Sequence, residues 1–191
     1  MEEQPNSFWA FIVDIVETVV VAAAIFVVVY LFLLQPHQVK GGSMEPNFHD
    51  GEYILTDKIS YRFSNPQRGD VIIFKAPTDP DVDFIKRVIA LPGEQVKISE
   101  GKVIIYNKDH PNGWTLNEPY QINGPTSGGK EVPQNTTVTV GQDELFVMGD
   151  NRVESFDSRS WGMLTKKNII GKAWLRYWPL NVFGFVKHAR Y

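Results

Sequence analysis

Phe84-Ile85-Lys86-Arg87-Val88-Ile89-Ala90-Leu91 is a run of aromatic, β-branched and aliphatic residues closed by Pro92-Gly93. A short apolar run ended by turn residues reads as a β-strand. Alternation puts Phe84, Lys86 and Val88 on one face and Ile85, Arg87 and Ile89 on the other, so Lys86 turns inward and Arg87 does not. Similar runs recur at Tyr53 to Thr56, Val71 to Lys75, Val96 to Ile98, Val103 to Tyr106 and Leu145 to Met148. Asn65-Pro66, Arg68-Gly69-Asp70, Pro77 to Asp81 and Glu100-Gly101 separate them as turn signals. After Pro36 the chain has no helix-period segment of length, beyond one turn near Lys166 to Ile170. The expected fold is mostly β, a folded antiparallel sheet body. From about Lys97 to Val140 the sequence turns polar and rich in Asn, Gly, Pro and Thr, so residues 97–140 read as a small inserted β-lobe.

Upstream of the strands, every residue from Val19 to Leu34 is apolar or Tyr30. At about 1.5 Å rise per residue this covers most of a hydrocarbon core roughly 30 Å thick, and Ile12 to Val16 extend it. Asp14 and Glu17 mark its aqueous end, Trp9 sits near the interface, and Pro36 helps stop the helix. Without a basic region before the run or a small-x-small site after it, the segment reads as a transmembrane anchor and not a cleaved leader. Residues 1–36 are then flank plus anchor, and 37–191 the folded body. Charge hardly encodes orientation: Glu2 and Glu3 lie on one flank and Lys40 on the other. The closing stretch, Ala173 to Val186, holds Trp174, Tyr177, Trp178, Phe183 and Phe185, and reads equally as core strand or as a lipid-contacting patch.

Between anchor and first strand lies Gly41-Gly42-Ser43-Met44-Glu45-Pro46. A Gly-Gly pair permits backbone geometries that other residues resist, so a carbonyl can lie against main-chain N–H groups beside the serine, as an oxyanion site requires. Ser43 is the candidate nucleophile, with its own N–H and those of Gly42 and Gly41 as candidate donors. The chain has no cysteine, which excludes a disulfide, a thiolate metal site and a thiol nucleophile. His37, His49, His110 and His188 lack ligand spacing and are expected at the surface, so neither a metal nor another cofactor is expected. The net charge of −3 argues against nucleic acid as a partner.

Four segments in order resemble the motif boxes of bacterial type I signal peptidases: Gly42 to Pro46, Arg68 to Lys75, Ile85 to Glu94, and Met148 to Arg152 continuing through Asp157 to Gly162. The resemblance implies a Ser-Lys dyad in which Ser43 attacks and Lys86, freed of its proton by burial, acts as general base. It implies that Ser155 hydrogen-bonds the lysine amine, that Asp157 pairs with Arg159, and that Asp150 pairs with Arg87. It places Met44, Phe84 and Ile85 at the pocket for the residue before the cut, and Val39, Ile54, Ile73 and Asp83 near the third. The expected substrates are preprotein signal peptides with small residues at those positions, and the expected setting is the cell membrane, single-pass, in contact with lipid, with the body outside the cytoplasm. One departure stands out: Gly41 occupies a position where some members carry a serine whose hydroxyl serves the oxyanion. A self-cleaving Ser-Lys regulator and an inactive anchored β-domain binding export partners are the alternatives.

Overall fold

A computed structural model describes residues 7–121 and 124–191; Met1 to Asn6, with Glu2 and Glu3, and Ile122-Asn123 of the 97–140 segment lie outside the described residues. Helix α1 (Ser7–Val28) runs on as a π-helical stretch, Val29–Leu33. At about 1.5 Å per residue α1 alone spans about 33 Å. Its apolar side chains, Phe8, Val19, Ile25 and Phe26 among them, face outward from the protein. Among the described residues it is the one helix long and apolar enough to cross a membrane.

Leu34 turns extended at φ −134°, and the chain enters β1 (Leu34–Gln38). The helix therefore ends before Pro36, and the sheet begins at Leu34. Pro36 is tolerated there because β1 is an edge strand, paired only with β2 (Tyr53–Asp57), where a missing N–H costs no ladder bond. β3 (Val71–Ala76) and β4 (Asp79–Ala90) form a hairpin. β5 (Gln95–Ser99), β6 (Lys102–Tyr106), β7 (Trp114–Thr115) and β8 (Thr137–Thr139) make a separate four-stranded sheet within the polar segment. β9 (Glu144–Met148), β10 (Leu164–Thr165), β11 (Ile169–Trp178) and β12 (Gly184–Phe185) return to the first sheet, whose order is β1-β2-β11-β3-β4-β9-β10 with β12 against β11. All described pairings are antiparallel. The Pro77 to Asp81 turn is tighter than the sequence suggests, since β4 already begins at Asp79.

The main sheet is covered on both faces. Val71 and Ile73 pack with Val39, Met44, Phe48 and Ile54, while Ile72 and Phe74 pack with Val88, Leu145 and Val147. A third cluster joins Ile89 and Met148 to Val96, Ile98, Val103 and Ile105 of the small sheet. This corrects the expectation for Arg87, which at 2% exposure is as buried as Lys86 at 4%. Both faces of β4 from Lys86 to Ala90 are interior, so alternation there separates two buried environments instead of inside from outside. The histidine expectation is corrected too. His188 accepts the Val71 N–H on Nδ1 at 3.1 Å, and its side chain is 18% exposed; that of His37 is 12% exposed. Each meets a polar partner, the Val71 N–H for His188 and Thr56 Oγ1 for His37, while His49 and His110 are exposed as expected. Of the closing stretch, Ala173 and Val186 are core, whereas Trp174, Trp178, Leu180, Phe183 and Phe185 stay exposed.

A buried charge pair ties β4 to the loop after β9. Arg87 Nε donates to Asp150 Oδ1 at 2.7 Å, Nη2 to Oδ2 at 2.6 Å, and Nη1 to the Gly69 carbonyl at 2.9 Å. The Tyr120 ring lies 4.1 Å under the guanidinium, and Asn47 Nδ2 donates to Asp150 Oδ2 at 2.9 Å. Removing one partner of such a pair strands the other charge in a dry interior, at a cost of about 3–5 kcal/mol. Asp150→Ala is expected to lose that much in urea unfolding of detergent-solubilised protein; a loss under about 1 kcal/mol contradicts the pair's role.

Candidate active site

The Gly41–Pro46 turn sits where the last strands and β4 converge. Gly41 adopts φ +78°, a conformation that a side chain resists, and this swings the chain so that Ser43 faces β4. The turn is held from the far side by Asn151, whose N–H donates to the Ser43 carbonyl and whose Nδ2 donates to the Gly42 carbonyl, both at 3.1 Å. Gly149 sits so close to the Ser43 carbonyl and the Ser155 side chain that any added Cβ would collide with them.

Lys86 Nζ lies 2.7 Å from Ser43 Oγ and 3.0 Å from its neighbour's carbonyl, Ile85 O, with the Phe84 ring 5.3 Å away. Burial is the largest influence on the amine and pushes it down to about 8; Asp157 and Asp150 act to raise it and Arg159 to lower it. A lysine so placed is neutral in part near neutral pH, and a neutral amine can accept the hydroxyl proton.

The residues expected around this pair fall into place unequally. Arg159 Nε and Nη2 donate to Asp157 Oδ1 and Oδ2, each at 2.8 Å, and the Arg87–Asp150 pair is described above. Ser155 differs from the expectation: its Oγ accepts the Gly149 N–H at 3.1 Å, and Lys86 instead bonds Ser43 and Ile85. The same Gly149 N–H also reaches Asp157 Oδ2 at 3.1 Å, so Ser155 is held by the backbone next to the pair and not by the amine. Gly41 is corrected as an oxyanion donor, because its N–H is taken by Asp50 Oδ1 at 2.7 Å. The N–H groups of Gly42 and Ser43 make no hydrogen bond among the described residues, which leaves them free for a ligand oxygen.

A cleft of about 360 Å³ opens beside Ser43 and Lys86. Val39, Ile54, Ile73, Asp83, Phe84 and Ile85 line it, together with Gly41 and Gly42. Met44 does not; its side chain is wholly buried in the core behind the turn, because the turn directs it away from Ser43. The cleft also has walls that the sequence did not single out: His37, Val82, Glu154 and Phe156. Asn47, Asn151 and Tyr120 were missed as supports, since their partners lie far along the chain. Asn151 alone carried a signal, standing inside a motif box. Among the described residues no three His, Asp or Glu side chains gather as metal ligands would.

The family model described as "Signal peptidase, peptidase S26" matches residues 12–178. The chain is 36% identical to a probable signal peptidase I-1 of Synechocystis sp., over 96% of this chain and 92% of that one. It is 35% identical to a signal peptidase I of Leptolyngbya laminosa, over 88% and 81%. The crystal structure of a signal peptidase I from Enterococcus faecalis aligns at 30% identity and TM-score 0.46, covering 57% of this chain and 97% of that one. By the extent of the family match and the identity to these relatives, the chain belongs to the bacterial type I signal peptidases of peptidase family S26, and it is a serine hydrolase.

Proposed function

We propose that this protein is a membrane-anchored Ser-Lys endopeptidase that removes signal peptides from exported preproteins after small residues. The observation that carries the proposal is the 2.7 Å approach of a buried lysine amine to Ser43 Oγ at one end of an apolar cleft. Ser43 Oγ attacks the scissile carbonyl carbon while the neutral Lys86 amine takes the hydroxyl proton. The developing oxyanion accepts the N–H groups of Ser43 and Gly42, both otherwise unused. Lys86, now an ammonium, gives its proton to the leaving nitrogen, and the peptide bond breaks to leave an acyl-enzyme. A water then repeats the sequence, with Lys86 taking its proton and returning it to Ser43 as the acid product departs.

The supporting residues hold geometry. Asp150 and Asp157 are each occupied by an arginine, so neither presents a free carboxylate that would return the amine to its charged form. Asn151 fixes the turn that carries Ser43, and Ser155 fills the space against Gly149. Val39, Ile54, Ile73 and Ile85 supply a shallow apolar surface suited to small side chains upstream of the cut.

The division into an anchor of about 1–36 and a body of 37–191, with the 97–140 lobe as a variable addition, belongs to the same proposal. Helix α1 would cross the lipid, and the exposed Trp174, Trp178, Leu180, Phe183 and Phe185 would rest on its surface. The body would then work on the extracytoplasmic side, where exported chains emerge, with its clients presented at the membrane.

The direct test is mass spectrometry of the products from one preprotein in detergent. Wild type should yield a single cut after a small residue. Ser43→Ala and Lys86→Ala should each lose on the order of 10⁴-fold in kcat, and Lys86→Arg should fail equally because a guanidinium cannot accept the proton. Near-normal turnover by any of these folded variants sinks the dyad.

The depressed lysine also fixes the sign of the pH dependence. The base acts only as free amine, so kcat/KM should climb from acid pH, pass half-maximum near 8 and level off above it. A flat profile from pH 5 to 9, with chemistry limiting, contradicts a lysine base.

A further inference from the structure

The upstream end of the cleft is not apolar throughout. His37, on edge strand β1 and paired with Ile54 of β2, lines it beside Asp83 of β4. The imidazole is tethered at one nitrogen, Nδ1 lying 2.8 Å from Thr56 Oγ1. The other, Nε2, is 3.2 Å from Asp83 Oδ2 but out of line, so this buried nitrogen has no hydrogen-bond partner. Asp83 is held from its other oxygen by Lys75 Nζ, 2.8 Å from Oδ1. A buried, unsatisfied N–H or lone pair is costly, and a ligand group that satisfies it is favoured over one that leaves it unmade.

The position of this corner along the substrate follows from strand spacing. Asp83 precedes Ile85 by two residues on the same face of β4, roughly 7 Å at about 3.3 Å per residue, and both line the cleft. An extended substrate running parallel to β4 with its cut residue beside Ile85 sends its side chains alternately toward and away from the cleft floor, so the residue two further upstream returns to that floor about 7 Å on. That residue, the third before the cut, meets His37 and Asp83.

We propose that His37 and Asp83 form a specificity-determining pair that favours a hydroxyl-bearing side chain, serine or threonine, at the third residue before the cut. The hydroxyl oxygen accepts the His37 Nε2–H while its own proton goes to Asp83 Oδ2, so one small group satisfies the buried imidazole nitrogen and adds a bond to the part-exposed carboxylate. Burial, the largest influence on His37, lowers its pKa, which keeps the ring neutral at working pH with a single N–H to donate. A hydrocarbon side chain of the same size leaves the imidazole nitrogen unmet.

The inference rests on the peptidase reading above, and one assay separates the two. Two peptides with a common signal sequence, differing only by serine or alanine at the third residue before the cut, are given to wild type, His37→Phe and Asp83→Asn. In wild type the serine peptide should have about three- to tenfold the kcat/KM of the alanine peptide. In both variants that ratio should fall to about one. Circular dichroism checks folding, and Asp83→Asn, being isosteric, supplies the test if His37→Phe does not fold. A wild-type ratio near one, or an undiminished ratio in either folded variant, overturns the pair's role while leaving the peptidase intact. Failure of wild type to cut either peptide overturns the peptidase reading, and the subsite with it.

Discussion

A lysine amine kept out of water is the constraint around which this molecule is arranged. Burying an ammonium is unfavourable, so the amine is driven toward its neutral form unless a carboxylate stands close by. Two carboxylates do stand near, Asp150 and Asp157, and each would restore the charge. Both are wholly buried, and both are engaged by two guanidinium nitrogens of an arginine, Arg87 and Arg159. The arginines satisfy buried acids that would otherwise be costly, and Arg159 in addition opposes the carboxylates at Lys86, while burial remains the largest influence on the amine. Placing Lys86 and Arg87 side by side on one strand directs them into different interiors, which is possible only because the sheet is covered on both faces.

The second requirement is that the serine meet the amine without losing the backbone donors beside it. The Ser43 and Gly42 carbonyls are spoken for by Asn151, and the Gly41 N–H by Asp50. The N–H groups that remain unpaired in the turn include those of Gly42 and Ser43. Gly41 offers neither a side-chain hydroxyl nor a free N–H, so the oxyanion role proposed above falls to its neighbours.

The strands with apolar runs or apolar alternation, β3, β4, β5, β6 and β9, were legible because both faces of each run, or one alternate face, are filled by apolar residues. β1 was not, since Pro36, His37 and Gln38 carry no such pattern and the strand exists by pairing along one edge. β11 was legible only in part, as one of two readings of the closing stretch, for another reason. Its register slips between Ala173 and Leu175 and again between Arg176 and Trp178, which breaks alternation, and its Gly171 marks a close approach to the Asp57 backbone. Of the candidate site, Ser43 was singled out by its glycine-led turn and Lys86 by the motif resemblance. Those that act through long-range contact could not: Asn47 meets Asp150 across 103 residues, and His37 enters the cleft only because β1 folds beside β2. Ser155 shows the limit of matching by motif, since its offset was read correctly along the chain while its hydroxyl turned to Gly149.

The most direct measurement is of the amine itself. With lysines labelled at Cε by ¹³C and Lys86 assigned by comparison with Lys86→Met, an NMR titration of the detergent-solubilised protein follows its protonation without any substrate. A base prepared by burial should titrate near 8, apart from the other lysines. Titration at the ordinary lysine value of about 10.4 would contradict a neutral Lys86 at working pH, and with it the mechanism built on that amine.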